Sequence, residues 1–140
     1  MIDHIGIPVD NIARATEFYL KALAPLGISI IMEVSAEESG HGAAVGFGAN
    51  FKPFFWIGEA EGLSRGHVHV AFAAPSRAAV DAFYRAAIAA GGEDNGPPGL
   101  RPHYPPIITE PSCSIPTATI SRPSVMRLRS SSGAVAHKNA

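Results

Sequence analysis

The chain has a single cysteine, Cys113, so no intrachain disulfide can form and nothing marks an oxidising compartment. It also lacks any run of about 18 apolar residues, and its opening Met-Ile-Asp-His has no basic stretch followed by an apolar one. Neither a membrane span nor a secretion signal is expected, which leaves the cytoplasm as the expected location. Charge of one sign is equally scarce: 11 basic residues face 12 acidic ones for a net charge of -1, so no bulk field is available to attract nucleic acid. With 140 residues, 46% hydrophobic and 16% charged, what remains is one soluble globular domain.

A further absence is local. All eleven aromatic residues lie at or before Tyr104, and after it stands one acidic residue, Glu110, against eleven earlier. Pro, Ser and Thr make up 15 of the 36 residues from 105 to 140. Such a segment buries too little apolar surface to offset its ordering entropy, so composition predicts a loop or disordered extension.

What is present begins with Ile2, Ile5, Ile7 and Val9, which predict a strand over 2–9 with His4, Gly6 and Pro8 facing away from the core. Asp10 or Asn11 then caps a helix whose apolar residues Ile12, Ala15, Phe18, Tyr19, Ala22, Leu23 and Leu26 recur at helical spacing until Gly27. Strands over 28–34, 43–48 and 53–59 complete a βαβββ order. The pattern then restarts: 67–72 predicts a strand, and Ser76 caps a helix carrying Val80, Phe83, Tyr84, Ala87 and Ile88. Sliding the chain by 65 residues places His4 on His69, Phe18-Tyr19 on Phe83-Tyr84 and Gly27 on Gly92, with seven of 24 positions identical. Alanine-rich helices share alanines by chance; they do not so readily share the His, the Phe-Tyr pair and the terminal Gly in one register.

This repeat, carried by "HIGIPVDNIARATEFYLKALAPLG" and "HVHVAFAAPSRAAVDAFY", resembles the vicinal oxygen chelate superfamily of glyoxalases, bleomycin-resistance proteins and extradiol dioxygenases. The resemblance covers residues 1–104. It implies an α+β fold of paired βαβββ modules, one spanning 1–64 and the other 66–125, that enclose a cleft holding a divalent metal such as Zn, Ni, Mn or Fe. The metal ligands it implies are two histidines, His4 and His69, and a glutamate from a closing strand-turn-strand of the form L-D-P-D-G-x-x-I-E. Two activities follow: a lyase or isomerase of the lactoylglutathione-lyase type, or a dioxygenase, each on a small oxygenated metabolite. The competing class is a metal-free small-molecule binding protein of the bleomycin-resistance type. A homodimer is expected, with neither nucleic acid nor membrane as partner.

Taken singly, His4 or His69 would read as a hydrogen-bonded strand histidine; their equivalence in the repeat favours ligation. His67 lies two residues before His69 on the same predicted face, as a neighbour of the site or an exposed strand-end residue. The first module offers Phe54-Phe55-Trp56-Ile57 where the second should offer its glutamate, so Phe54, Phe55 and Trp56 are expected as core and aromatic pocket wall, with Phe55 and Trp56 as pocket candidates. Arg101, His103 and Tyr104 are candidates to hold a substrate carboxylate or relay protons, or else ordinary surface residues. His41, Glu59 and Glu61 are expected to be solvated, and the glycines around Gly46 form no phosphate loop, since no Lys-Ser/Thr follows.

The glutamate motif is absent after Tyr104. Codons compatible with residues 105–124, read one base out of frame, nevertheless spell D-Y-Y-G-A-V-V-L-D-P-D-G-N-N-I-E-A-V, with the glutamate straddling Ser121 and Arg122. The expectation is that one base was lost near codon 105, making 105–125 an atypical end of the second module and 126–140 a non-native tail. The alternative is a natural Ser/Pro-rich tail on a truncated module.

Overall fold

The computed structural model describes residues 1–61, 69–94, 98–100, 109–110, 112–114 and 125–130. The first strand, β1 (Ile5–Val9), runs into helix α1 (Ile12–Leu23), which begins where the Asn11 side chain accepts a hydrogen bond from the Arg14 amide at 2.9 Å. A short 3-10 turn over Ala24–Leu26 ends at Gly27, whose φ of 72° is the left-handed conformation that a side chain would strain. Strand β2 (Ser29–Val34) is followed by a single helical turn, α2 (Ala36–Ser39), closed by reciprocal Ser35 and Glu38 hydrogen bonds in a capping box. Strands β3 (Ala44–Ala49) and β4 (Lys52–Glu59) complete a sheet of order β1-β4-β3-β2, with β1 parallel to β4 and the other pairs antiparallel.

The second half repeats this order. Strand β5 (His69–Ala74) leads to α3 (Arg77–Ala89), capped by the Ser76 hydroxyl accepting from the Ala79 amide. Strands β6 (Glu93–Asp94), β9 (Ser112–Ser114) and β10 (Val125–Ser130) join β5 in a sheet of order β5-β10-β9-β6, in which β10 runs parallel to β5. A two-stranded pair, β7 (Gly99–Leu100) with β8 (Thr109–Glu110), lies outside both sheets. The fold is α+β, two βαβββ units of matching topology. The strands of the second unit are short: β6 and β9 have two and three residues where β2 and β3 have six each.

Helices α1 and α3 pack on each other, and one core joins the two units. Phe18, Tyr19, Ala22 and Leu23 of α1 and Val80, Phe83 and Ala87 of α3 are buried with Phe47, Phe55 and Ile57 from the first sheet and Phe72 from the second. The Phe55 ring is central, 4.9 Å from Tyr19 and 5.1 Å from Phe72 in edge-on contacts. Such pairs add to the burial that drives folding.

Three expectations are corrected. The first strand starts at Ile5, three residues later than its β-branched pattern suggested, because pairing with β4 begins at Ile5 and Phe55; Ile2 is 85% exposed. Residues 36–39, left between the predicted strands over 28–34 and 43–48, form a helical turn, since Ser35 and Glu38 satisfy each other's amides. The segment after 104, read from composition as an extension without structure, contributes β8, β9 and β10. The free edge of β5 supplies the hydrogen-bonding partner that β10 needs, and composition takes no account of it.

Candidate functional site

The first sheet has two faces, and strand alternation decides which residues reach each. Ile7 and Val9 of β1, with Phe55 and Ile57 of β4, point toward the helices. Gly6 pairs with Trp56, and a Cβ built on Gly6 would lie 3.8 Å from the Trp56 Cβ, so both residues face the other way. Trp56 is half-buried there. A Cβ on Gly46 would come within 2.8 Å of the indole Cζ2 and 2.9 Å of the Pro53 Cβ, so the glycine makes room for the indole across β3. The outer face therefore presents an indole beside Gly6 and Pro8, both exposed.

Trp56 thus has the exposure expected of a pocket wall, and Phe55 does not. Phe55 is fully buried on the helix side, which corrects its reading as a pocket residue. The run Pro53-Phe54-Phe55-Trp56-Ile57 has no polar alternation from which to read the inward positions. Phe54 is half-buried and packs against the core.

His4 immediately precedes β1 and is 60% exposed. Its Nδ1 lies 3.0 Å from the Asp3 carboxylate, whose other oxygen accepts from Lys52 Nζ. The Lys52 hydrogen bond, and after it that of His4, hold the Asp3 carboxyl below the ordinary carboxylate range. A carboxylate bonded to Nδ1 is the kind of partner that also orients metal-ligating histidines. Sequence reading missed Asp3, although its adjacency to His4 was a usable signal.

His69 opens β5, pairing with Val125 at the first register position of that sheet. His4 stands one residue before the corresponding position of the first sheet, Ile5 paired with Phe55. His67, Arg101, His103 and Tyr104 lie outside the described residues. Asp10, His41, Glu59 and Glu61 line an open cleft at the far end of the β1–β4 pair from His4. Among the described residues, no group of three His, Cys, Asp or Glu side chains could hold a metal.

The Glyoxalase/Bleomycin resistance protein/Dioxygenase superfamily model matches residues 1–111. The chain belongs to that superfamily. Solved structures share the fold at low identity. A glyoxalase/bleomycin resistance protein from Albidiferax ferrireducens T118 is 22% identical, with 91% of this chain and 96% of that chain covered at a TM-score of 0.67. A mutant of the fosfomycin resistance protein FosX from Listeria monocytogenes, complexed with Mn(II) and 1S,2S-dihydroxypropylphosphonic acid, is 16% identical over 92% of this chain and 90% of that chain, with a TM-score of 0.60. A glyoxalase I mutant from Zea mays is 18% identical at a TM-score of 0.66, covering 91% of this chain and 45% of that one. No curated protein matches the chain. No helix among the described residues is long and apolar enough to cross a membrane.

Proposed function

We propose that this superfamily member is a metal-dependent enzyme of the glyoxalase/dioxygenase type, in which His4 and His69 hold one divalent ion, Zn, Ni, Mn or Fe, and a small oxygenated metabolite is the substrate. The observation that carries the reading is the placement of a histidine at the opening of the first strand in each of two sheets with the same strand order. When bound, such an ion acts as a Lewis acid toward adjacent substrate oxygens. Asp3 orients the His4 ring through Nδ1. Trp56, with Gly6 and Pro8 beside it, forms an apolar wall against which a small ligand packs. Arg101, His103 and Tyr104 are assigned to hold a substrate carboxylate and relay protons.

The finer assignments follow the same reading. The reaction is a lyase, isomerase or dioxygenase reaction, and the protein works in the cytoplasm as a homodimer. Exposed apolar residues on both edge strands of the first sheet, Ile5 on β1 and Met32 on β2, support self-association.

A metal-free binding protein of the bleomycin-resistance type is the second reading. It is favoured by the last strand, Val-Met-Arg-Leu-Arg-Ser, which brings no carboxyl-bearing residue to the second sheet. Two histidines without a carboxylate leave a shell incomplete, so the chain as written binds metal weakly and turns over little. Metal content after equilibration with Mn(II) separates the readings. Weak binding that His4→Ala or His69→Ala abolishes supports the enzyme, and binding indifferent to both substitutions refutes it.

A further inference from the structure

We infer that residues 105–140 are read one base out of the frame in which the second module folds. The inference stands on the internal repeat, and only its consequence for metal binding rests on the enzyme reading.

The two sheets have the same strand order and the same parallel closing pair, so β9 and β10 stand where the hairpin β3–β4 stands in the first. That hairpin is two strands, Ala44–Ala49 and Lys52–Glu59, joined by a two-residue turn. The written second module instead supplies strands of two and three residues, then the arginine-bearing Val125–Ser130. The superfamily match stops at residue 111, inside this region.

Joining the last base of each codon to the first two of the next gives the shifted reading. The observed residues fix the second and third bases of each shifted codon except where the next residue is Ser, Arg or Leu, which have two choices of first two bases, and the first base varies within the synonymous codons. From Pro106 onward these constraints admit D-Y-Y-G-A-V-V-L-D-P-D-G-N-N-I-E-A-V-C-H-A-P-A, then a stop at codons 129 and 130. G-A-V-V-L and N-N-I-E-A-V are strand-length segments, and the Asp-Gly between them is a hairpin turn signal. The shifted end restores acidic and aromatic residues, which the written end all but lacks. Met126 has a single codon, whose final G joined to the first two bases of Arg127 reads alanine from a CGN codon and glutamate from AGA or AGG. The shifted glutamate, across Ser121 and Arg122, brings to the last strand the carboxylate that the written strand lacks.

The gene's own wobble bases supply the first test. Sequencing codons 105–130 should show T as the third base at Ile107 and Ile108, spelling the tyrosine pair, and TCG at Ser121 followed by AGA or AGG at Arg122, spelling the glutamate. Third bases that place a stop before codon 129, or that break the strand-turn-strand pattern, overturn the inference. The second test compares the written chain with one expressed after inserting a base at codon 105, by thermal unfolding without metal. The restored chain should unfold in a single transition about 10 °C or more above the written one. A written chain of equal or greater stability refutes the shift. Neither readout involves metal, so failure of the enzyme reading leaves both intact.

Discussion

Phe55 and Trp56 are adjacent, aromatic and on one strand, yet they belong to opposite faces, and alanine substitution separates their roles. Phe55 is fully buried against Tyr19, Phe47 and Phe72, with the nearest ring centroid 4.9 Å away. Removing it opens a cavity at the junction of the two modules, where packing from both sides prevents collapse. A loss of about 3–5 kcal/mol is expected. For a chain of this size that lowers the melting temperature by roughly 10 °C or more. Trp56 is half-buried on the outer face, and its indole fills space that Gly46 leaves. Its removal exposes glycine backbone without opening the core and costs less than about 2 kcal/mol. Thermal unfolding followed by circular dichroism measures both, and ligand binding measured on the same proteins should fall for Trp56→Ala. A Trp56→Ala loss equal to or larger than that of Phe55→Ala would refute the assignment of faces.

Gly46→Ala places a methyl 2.8 Å from the indole and 2.9 Å from Pro53. It should destabilise by about 1–3 kcal/mol in urea unfolding, a cost that Trp56→Ala in the same chain relieves in part, since Pro53 remains. Burial raises the Tyr19 phenol well above its ordinary value. Its protonated form is therefore favoured by folding, and this stability is present below the unfolded value near pH 10 and lost as pH rises beyond it. The urea midpoint of the wild type should drop between pH 9 and pH 11, and Tyr19→Phe should flatten that drop; an unchanged slope would show that Tyr19 is not its source.

Much of this architecture was legible because local signals and tertiary context agree. Asn11, Gly27 and Ser76 each sit where a helix end needs them, and the 65-residue repeat shows in space as two sheets of one strand order. The start of β1 was misread because β-branching at Ile2 carries no information on where the partner strand begins. The capping box of Ser35 and Glu38 was present in the sequence, but four residues give too little periodicity to announce a helix. Phe55 was named as a pocket candidate beside Trp56 because five apolar residues in succession erase the alternation that reveals orientation. Of the candidate site, His4 was read inside the first strand and stands just before it, and its Asp3 partner was not weighed; Lys52 arrives from β4, a contact across 49 residues that no local pattern encodes.

Titration of the restored chain with Mn(II), followed by the loss of the free-ion electron paramagnetic resonance signal, tests the paired-module metal site most directly. One ion per chain is expected, with at least tenfold weaker binding in the written chain and loss of binding in both His4→Ala and His69→Ala. Stoichiometric binding that survives either substitution would contradict it.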